Sequence, residues 1–157
     1  MRNERSIDSL DRAIIAELEE DARLSNTELA RRVGLTPAPC LRRVQRLERD
    51  DVIQGYHAAV DARSYDRGLE VIVAIDIAVN DGETIVDFES AAVAVPEVTE
   101  VRRMFGQPDY YLRVQVADPE AYEALAVNTL ARLPAVSRLL SHQTMRLLKG
   151  RGAVDPR

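Results

Sequence analysis

Residues 25–49 read S-N-T-E-L-A-R-R-V-G-L-T-P-A-P-C-L-R-R-V-Q-R-L-E-R, the pattern of two short helices joined by a tight turn. Ser25 and Glu28 have the spacing of a capping box: the hydroxyl takes a backbone N–H and the carboxylate reaches back. Leu29, Ala30 and Val33 supply an apolar stripe. Gly34 stands where a helix end favours a residue tolerant of positive φ. Thr36 is then expected to cap the next helix, and Pro37 suits its first position, where no N–H is needed.

The second helix divides into two faces. At about 100° per residue, Cys40, Leu41, Val44 and Leu47 fall on one side, expected to be buried. Ala38, Arg42, Gln45, Arg46 and Arg49 fall on the other, with Arg43 on the flank. A helix fits the major groove of duplex DNA, where arginine bonds guanine bidentately and glutamine bonds adenine. Base contacts come mainly from the front of the second helix in a helix-turn-helix. That assigns Thr36, Ala38 and Arg42 to base edges, with Gln45 and Arg46 further along and Pro37 counted among the DNA-binding residues. Arg31, Arg32, Arg43 and Arg49 are expected at phosphates. The competing reading is a solvated basic face on a structural helix.

Around this stretch the chain has 157 residues, 46% hydrophobic and 30% charged, which argues against disorder. The net charge of −5 excludes a general polyanion binder. DNA affinity therefore needs a local patch, and residues 31–49 form one with Glu48 as its only acid. Lys149 is the sole lysine, so almost all positive charge is arginine. Cys40 is the sole cysteine, which excludes an internal disulfide and any multi-cysteine metal site, and its position reads as a small buried hydrophobe. No run approaches membrane-spanning length and the start has no signal-peptide core, so a cytoplasmic protein without membrane contact is expected.

Upstream, Asp8 caps a first helix with Asp11 in its first turn, and Leu10, Ile14 and Leu18 form its stripe. Downstream, residues 52–59 read as a strand, which makes residues 1–59 a winged helix-turn-helix domain. Residues 60–68 are polar and read as a linker. From 69 to 149 the pattern changes. Leu69, Val71, Val73, Ile75, Ile77 and Val79 alternate as in a half-buried strand, and N-D-G at 80–82 is a turn signal. Ile85, Phe88, Ala92 and Val95 have helical spacing up to Pro96. A strand follows at 98–105, a turn at 106–109, and a strand through Tyr110, Leu112, Val114 and Val116. Asp118 and Pro119 start a helix with Tyr122, Leu125, Ala126 and Thr129 on one side. A last strand runs over 136–148, and 150–157 is a tail. The class is α+β, and the second domain is a ferredoxin-like βαββαβ unit.

These residues resemble the Lrp/AsnC, or feast/famine, family of transcription regulators. The resemblance rests on I-D-S-L-D-R-A-I at 7–14, on residues 23–48, on I-Q-G-Y at 53–56, and on G-Q-P-D-Y at 106–110. It implies dimerisation through the C-terminal sheets, assembly of dimers into octamers, and an amino acid or related metabolite bound between dimers. The positions matching the family's effector site are Gly106, Gln107, Pro108, Asp109 and Tyr110, with His142, Gln143 and Thr144 on the last strand. Gly106 permits close backbone approach, and Asp109 is placed to hold an α-ammonium group. Phe105 and Gln107 depart from the family's usual residues, which leaves the effector's identity open.

No metal-ligand spacing surrounds His57 or His142, and no phosphate loop or nucleophile elbow occurs. No cofactor or catalytic group is expected. Two alternatives stand beside the regulator. One is a sirohaem-decarboxylase-like enzyme on the same two-domain plan, which would need His142, Arg102 and Arg103 around a tetrapyrrole. The other is a metabolite-sensing module that does not bind DNA.

Overall fold

The computed structural model describes residues 7–78 and 81–148. The chain divides into two compact units between Ala58 and Ala59.

The first unit holds helices α1 (Ser9–Glu20), α2 (Asn26–Arg32) and α3 (Pro37–Arg49). Asp8 and Asp11 form a complete capping box at the start of α1. At α2 the box is half formed. Ser25 accepts from the Glu28 N–H at 3.2 Å, but the Glu28 carboxylate turns away to Arg31 and Arg32. Two guanidinium groups outcompete one backbone N–H for a carboxylate. Gly34 ends α2 with φ +71°. Its N–H bonds the Arg31 carbonyl at 3.4 Å, and the Leu35 N–H bonds the Ala30 carbonyl at 2.8 Å. This is the paired closure of a Schellman motif, for which glycine is the least strained residue.

Thr36 occupies the N-cap of α3 but its hydroxyl caps nothing. The two helices are tied instead by Asn26, whose Nδ2 donates to the Pro37 carbonyl at 2.7 Å. Ile14, Leu29, Ala30, Cys40 and Leu47 make the buried core, with Leu18, Leu24, Val33, Leu35, Val44, Val52 and Ile53 packed around it. Leu41 departs from its expected place: it is 44% exposed. It lies about 100° from Cys40 around the helix, too far to reach a core centred on Cys40, Val44 and Leu47.

The strand expected over residues 52–59 does not form. Asp51 adopts a left-handed conformation after α3, and the Val52 and Ile53 N–H groups both bond the Leu47 carbonyl, at 2.9 and 3.0 Å. Those donors are consumed in closing the helix, and no neighbouring strand among the described residues pairs with the rest. Tyr56 is fixed differently: its hydroxyl donates to Glu48 at 2.8 Å.

The second unit begins with a short 3₁₀ turn, Ala62–Tyr65, capped by Asp61. A four-stranded antiparallel sheet follows, in the order β2-β3-β1-β4. The strands are β1 (Leu69–Ile77), β2 (Val98–Arg103), β3 (Tyr110–Val116) and β4 (Val136–Gln143). Helices α4 (Gly82–Val93) and α5 (Pro119–Asn128) connect them, capped by Asp81 and Asp118. Asn80 of the expected turn, and Val79 at the end of the expected alternation, lie outside the described residues. This is the ferredoxin-like arrangement that the alternation implied.

Register explains the core. Val71 lies opposite Val114, Val73 opposite Leu112 and Ile75 opposite Tyr110, so one face of two strands is buried together. Phe88 and Ala92 of α4, Leu125 of α5, and Leu130 and Leu133 beyond it cover that face. Phe88 is fully buried, worth about 1.5–3 kcal/mol, with its ring 4.5 Å from that of Tyr110. The other face carries Glu70, Ile72, Ala74 and Asp76 from β1 with Tyr111, Arg113 and Gln115 from β3. Strands β2 and β4 are shorter than expected, ending at Arg103 and Gln143 rather than 105 and 148. Beyond Arg103 the chain turns into the β2–β3 hairpin. Beyond Gln143, the Thr144 N–H still bonds the Glu70 carbonyl at 2.9 Å.

Candidate functional site

In the first unit, Thr36, Pro37, Ala38, Leu41, Arg42, Gln45 and Arg49 are exposed along one side of α3. Arg42 makes no ion pair among the described residues, and Arg49 makes a loose one with Asp50 at 3.6 Å. The remaining arginines of the basic stretch are engaged. Arg31 holds Glu28 through two bonds of 2.8 and 2.7 Å. Arg32 holds Glu28 and Glu17, each at 3.0 Å. These hydrogen bonds, Arg31's first, hold the Glu28 carboxyl down at about 2.

Arg43 Nη1 donates to Asp8 at 2.7 Å and to Asp11 at 2.8 Å, and Arg46 Nη2 donates to the second oxygen of Asp11. The Asp8 carboxyl is lowered by the Asp11 backbone N–H and then by Arg43. Asp11 itself is fully buried. The basic patch counted from sequence is thus largely balanced by acids of α1 and α2. Arg42, Gln45 and Arg49 remain on the outward face, beside an exposed Glu48 that accepts the Tyr56 hydroxyl. Sequence reasoning missed Asp11 as the counter-charge of α3, because pairs 32 and 35 residues apart leave no local signal. It missed Asn26 for the same reason. Cys40 is buried and its thiol is pushed up by burial, as suits a packing residue.

In the second unit, the hairpin between β2 and β3 closes with the Met104 N–H on the Asp109 carbonyl at 2.8 Å. Gly106 has φ +123°, which side chains rarely adopt, and the Gln107–Pro108 peptide is cis. Asp109 Oδ2 accepts from the Ile77 N–H at 2.9 Å, so one carboxylate oxygen is spent on finishing β1. A cavity of about 600 Å³ opens at the hairpin, lined by Arg103, Met104, Phe105, Gly106, Asp109 and Tyr110. Phe105 is fully exposed at its rim.

Tyr110 lines this cavity from the core side. Its ring is buried, and its hydroxyl donates to Glu89 at 2.9 Å. Burial first, and that bond second, push its pKa up to about 12. The strict alternation of β3 already placed Tyr110 on the same side as Leu112. Arg103 stands 3.7 Å from the same Glu89, so the cavity has a cation that the sequence reading left out of its effector set.

His142, Gln143 and Thr144 do not join this cavity within one chain. His142 pairs across from Ile72 and Gln143 from Val71, whereas Asp109 meets β1 at Ile77. Five strand residues separate those points, ~17 Å at about 3.4 Å per residue. Thr144 instead donates its hydroxyl to Glu70 at 3.0 Å. The tetrapyrrole grouping is scattered likewise: Arg102 and Arg103 lie on β2 at one edge of the sheet and His142 on β4 at the other. Among the described residues no cluster of metal-ligating side chains occurs, and no helix is long and apolar enough to cross a membrane.

Residues 7–48 match the AsnC-type helix-turn-helix domain, and residues 70–154 match the Lrp/AsnC ligand binding domain. The leucine-responsive regulatory protein of Klebsiella pneumoniae is 40% identical over 92% of this chain and 88% of its own length. Its counterpart from Escherichia coli strain K12 is 39% identical over the same shares. Among solved structures, a transcriptional regulator of Neisseria meningitidis in complex with L-Met superposes with a TM-score of 0.88 at 29% identity, covering 95% of this chain and 96% of the other. An AsnC family transcriptional regulator from Agrobacterium tumefaciens gives 0.86 at 35% identity, covering 94% and 95%. With both domains matched in order along nearly its whole length, the chain belongs to the Lrp/AsnC family of transcriptional regulators.

Proposed function

We propose that α3 reads duplex DNA with Arg42 and Gln45 at base edges, Thr36, Pro37 and Ala38 at the front of the groove, and Arg49 at phosphate. Leu41, exposed beside them, adds an apolar surface for a thymine methyl. The observation that carries this reading is the outward face of α3, whose exposed Arg42 is committed to no acid among the described residues, whereas Arg43 and Arg46 are paired. A homodimer, formed through the helix-free face of the sheet, sets two such helices on half-sites roughly 10 bp apart. Further association of dimers into an octamer, in the cytoplasm, completes the proposed assembly. No catalytic step is assigned.

The proposed effector is an amino acid or related metabolite at the 106–110 hairpin. Arg103 suits a carboxylate, the second oxygen of Asp109 an ammonium group, and Met104 and Phe105 an apolar side chain. The leucine-responsive relatives and the L-Met complex favour that class. His142, Gln143 and Thr144 contribute only if a neighbouring copy brings them to this hairpin. Binding shifts DNA affinity by the ligand's differential affinity for the assemblies.

Selection of duplexes from a random pool, followed by mobility shifts, tests the DNA reading. Enrichment of a pseudo-palindrome supports it, and equal binding to all duplexes rejects it. Thermal-shift screening of the twenty amino acids tests the effector class. Stabilisation by apolar amino acids, lost in Arg103→Ala, is expected. Stabilisation that survives Arg103→Ala rejects that assignment.

A further inference from the structure

We propose that Asp11 is a specificity-setting counter-charge, which withholds Arg43 and Arg46 from DNA phosphates and so leaves recognition to the outward face of α3. This rests on the reading of α3 as the DNA-contacting helix.

The geometry is specific. The Asp11 carboxylate is 1% exposed and each of its oxygens takes one arginine, Oδ1 from Arg43 at 2.8 Å and Oδ2 from Arg46. Oδ2 also accepts the Asp8 N–H at 3.2 Å, and Asp8 returns the favour by accepting the Asp11 N–H at 2.8 Å. Asp8 then takes a second bond from Arg43 at 2.7 Å. Arg43 and Arg46 lie one turn apart on the flank of α3 that faces α1, so a single side chain spans both.

The energetic asymmetry follows from burial. A phosphate at the surface offers these arginines a solvated, salt-screened partner. Leaving Asp11 for it strands a buried carboxylate, which is far more costly than losing an exposed ion pair. Arg43 and Arg46 therefore stay with Asp11 while DNA is bound. Two positive charges that would attract any duplex alike are cancelled, and the contacts that differ between sequences keep a larger share of the binding free energy.

The test compares the full chain with variants on the selected duplex and on a random-sequence duplex of equal length, across a salt series. Each phosphate contact adds about 0.9 to the slope of log affinity against log salt. Asp11→Asn is expected to steepen that slope by up to about 2 and to raise random-duplex affinity several-fold, lowering the ratio of selected to random. Asp11→Asn combined with Arg46→Gln should return about half of the gain. Glu19→Gln removes a charge from α1 without freeing an arginine, and should leave the slope at its native value. An unchanged slope in a folded Asp11→Asn, or the same steepening in Glu19→Gln, overturns the proposal.

Arg46→Gln alone decides the matter even if Asp11→Asn does not fold. No change in slope supports a committed Arg46, and a fall of about 0.9 overturns it. A native chain that binds no duplex would overturn the reading of α3 together with this proposal. A native chain that binds normally while the variants misbehave overturns this proposal only.

Discussion

Asp109 caps the end of β1 by accepting the Ile77 N–H at 2.9 Å, across a sequence separation of 32 residues. The bond fastens the candidate effector hairpin to the central strand. Asp109→Ala removes both an acceptor and a charge, so it confounds folding with ligand recognition. It is expected to cost about 1–3 kcal/mol, the penalty for leaving a half-buried N–H unpaired. Asp109→Asn keeps an oxygen for Ile77 and loses the charge. Urea midpoints should therefore drop for the alanine variant and stay near native for the asparagine variant. Amino-acid-dependent thermal shifts should vanish in both. Equal stability loss in both would show that the charge, and not the bond to Ile77, sustains the hairpin.

At the end of α3 the chain uses an awkward residue. Asp51 sits at φ 52°, with its N–H on the Glu48 carbonyl at 3.0 Å, the position where α2 has Gly34. A left-handed non-glycine residue costs about 1–2 kcal/mol, and glycine gives back about 0.5–1 through its freer unfolded chain. Asp51→Gly is expected to stabilise the first unit by about 0.5–1 kcal/mol. Thermal unfolding followed by circular dichroism reads this directly. A lower midpoint would mean that the aspartate contributes something its backbone angle does not reveal.

These positions also show what the sequence could carry. Helices and strands with a strong period were legible, because burial of Ile14, Leu47, Val73 or Leu112 follows from spacing alone. Caps and turns whose partners are local were legible too: Asp8, Gly34 and Asp118 act within four residues, whereas Asp81 was read only as part of a turn and proves to cap α4. The expected strand at 52–59 failed because strand formation depends on a neighbour, which no local pattern supplies. The site was legible in its residue types but not in its pairings. Six arginines in residues 31–49 promised a strongly basic face. Acids at Asp8, Asp11, Glu17 and Glu28 answer four of them, two of the pairs 35 residues apart. The two halves of the effector site were joined by resemblance, while register sets them at different ends of β1.

Arg42 and Arg43, adjacent in sequence, should separate cleanly by experiment. Arg42→Ala removes an exposed group with no ion pair among the described residues, and folding should be untouched. Its expected cost is about 1–3 kcal/mol on the selected duplex and little on random DNA. Arg43→Ala takes a partner from the buried Asp11, so thermal unfolding should begin at a lower temperature. Its DNA affinity, measured well below that temperature, should stay close to native. Uniform weakening on all duplexes by a folded Arg43→Ala would return Arg43 to the phosphate-contacting group.

The buried hydroxyl of Tyr110 makes the second unit sensitive to alkali. Burial, and then the bond to Glu89, raise its pKa from an ordinary 10 to about 12. Between those two values the folded chain keeps a proton that the unfolded chain has released. Stability from this group is therefore fully present below 10 and declines as the pH climbs toward 12. Tyr110→Phe keeps the ring against Phe88 and removes the titrating hydroxyl. Its urea midpoint should start lower than native at neutral pH, because Glu89 loses a donor, and should fall less steeply in alkali. The Tyr56 hydroxyl is likewise pushed up to about 12 by local desolvation and then by Glu48, though the residue is 47% exposed, so Tyr56→Phe serves as the matching variant in the first unit. If native and Tyr110→Phe midpoints fall in parallel above 10, the alkaline loss arises elsewhere, and the Tyr110–Glu89 contact does not govern it.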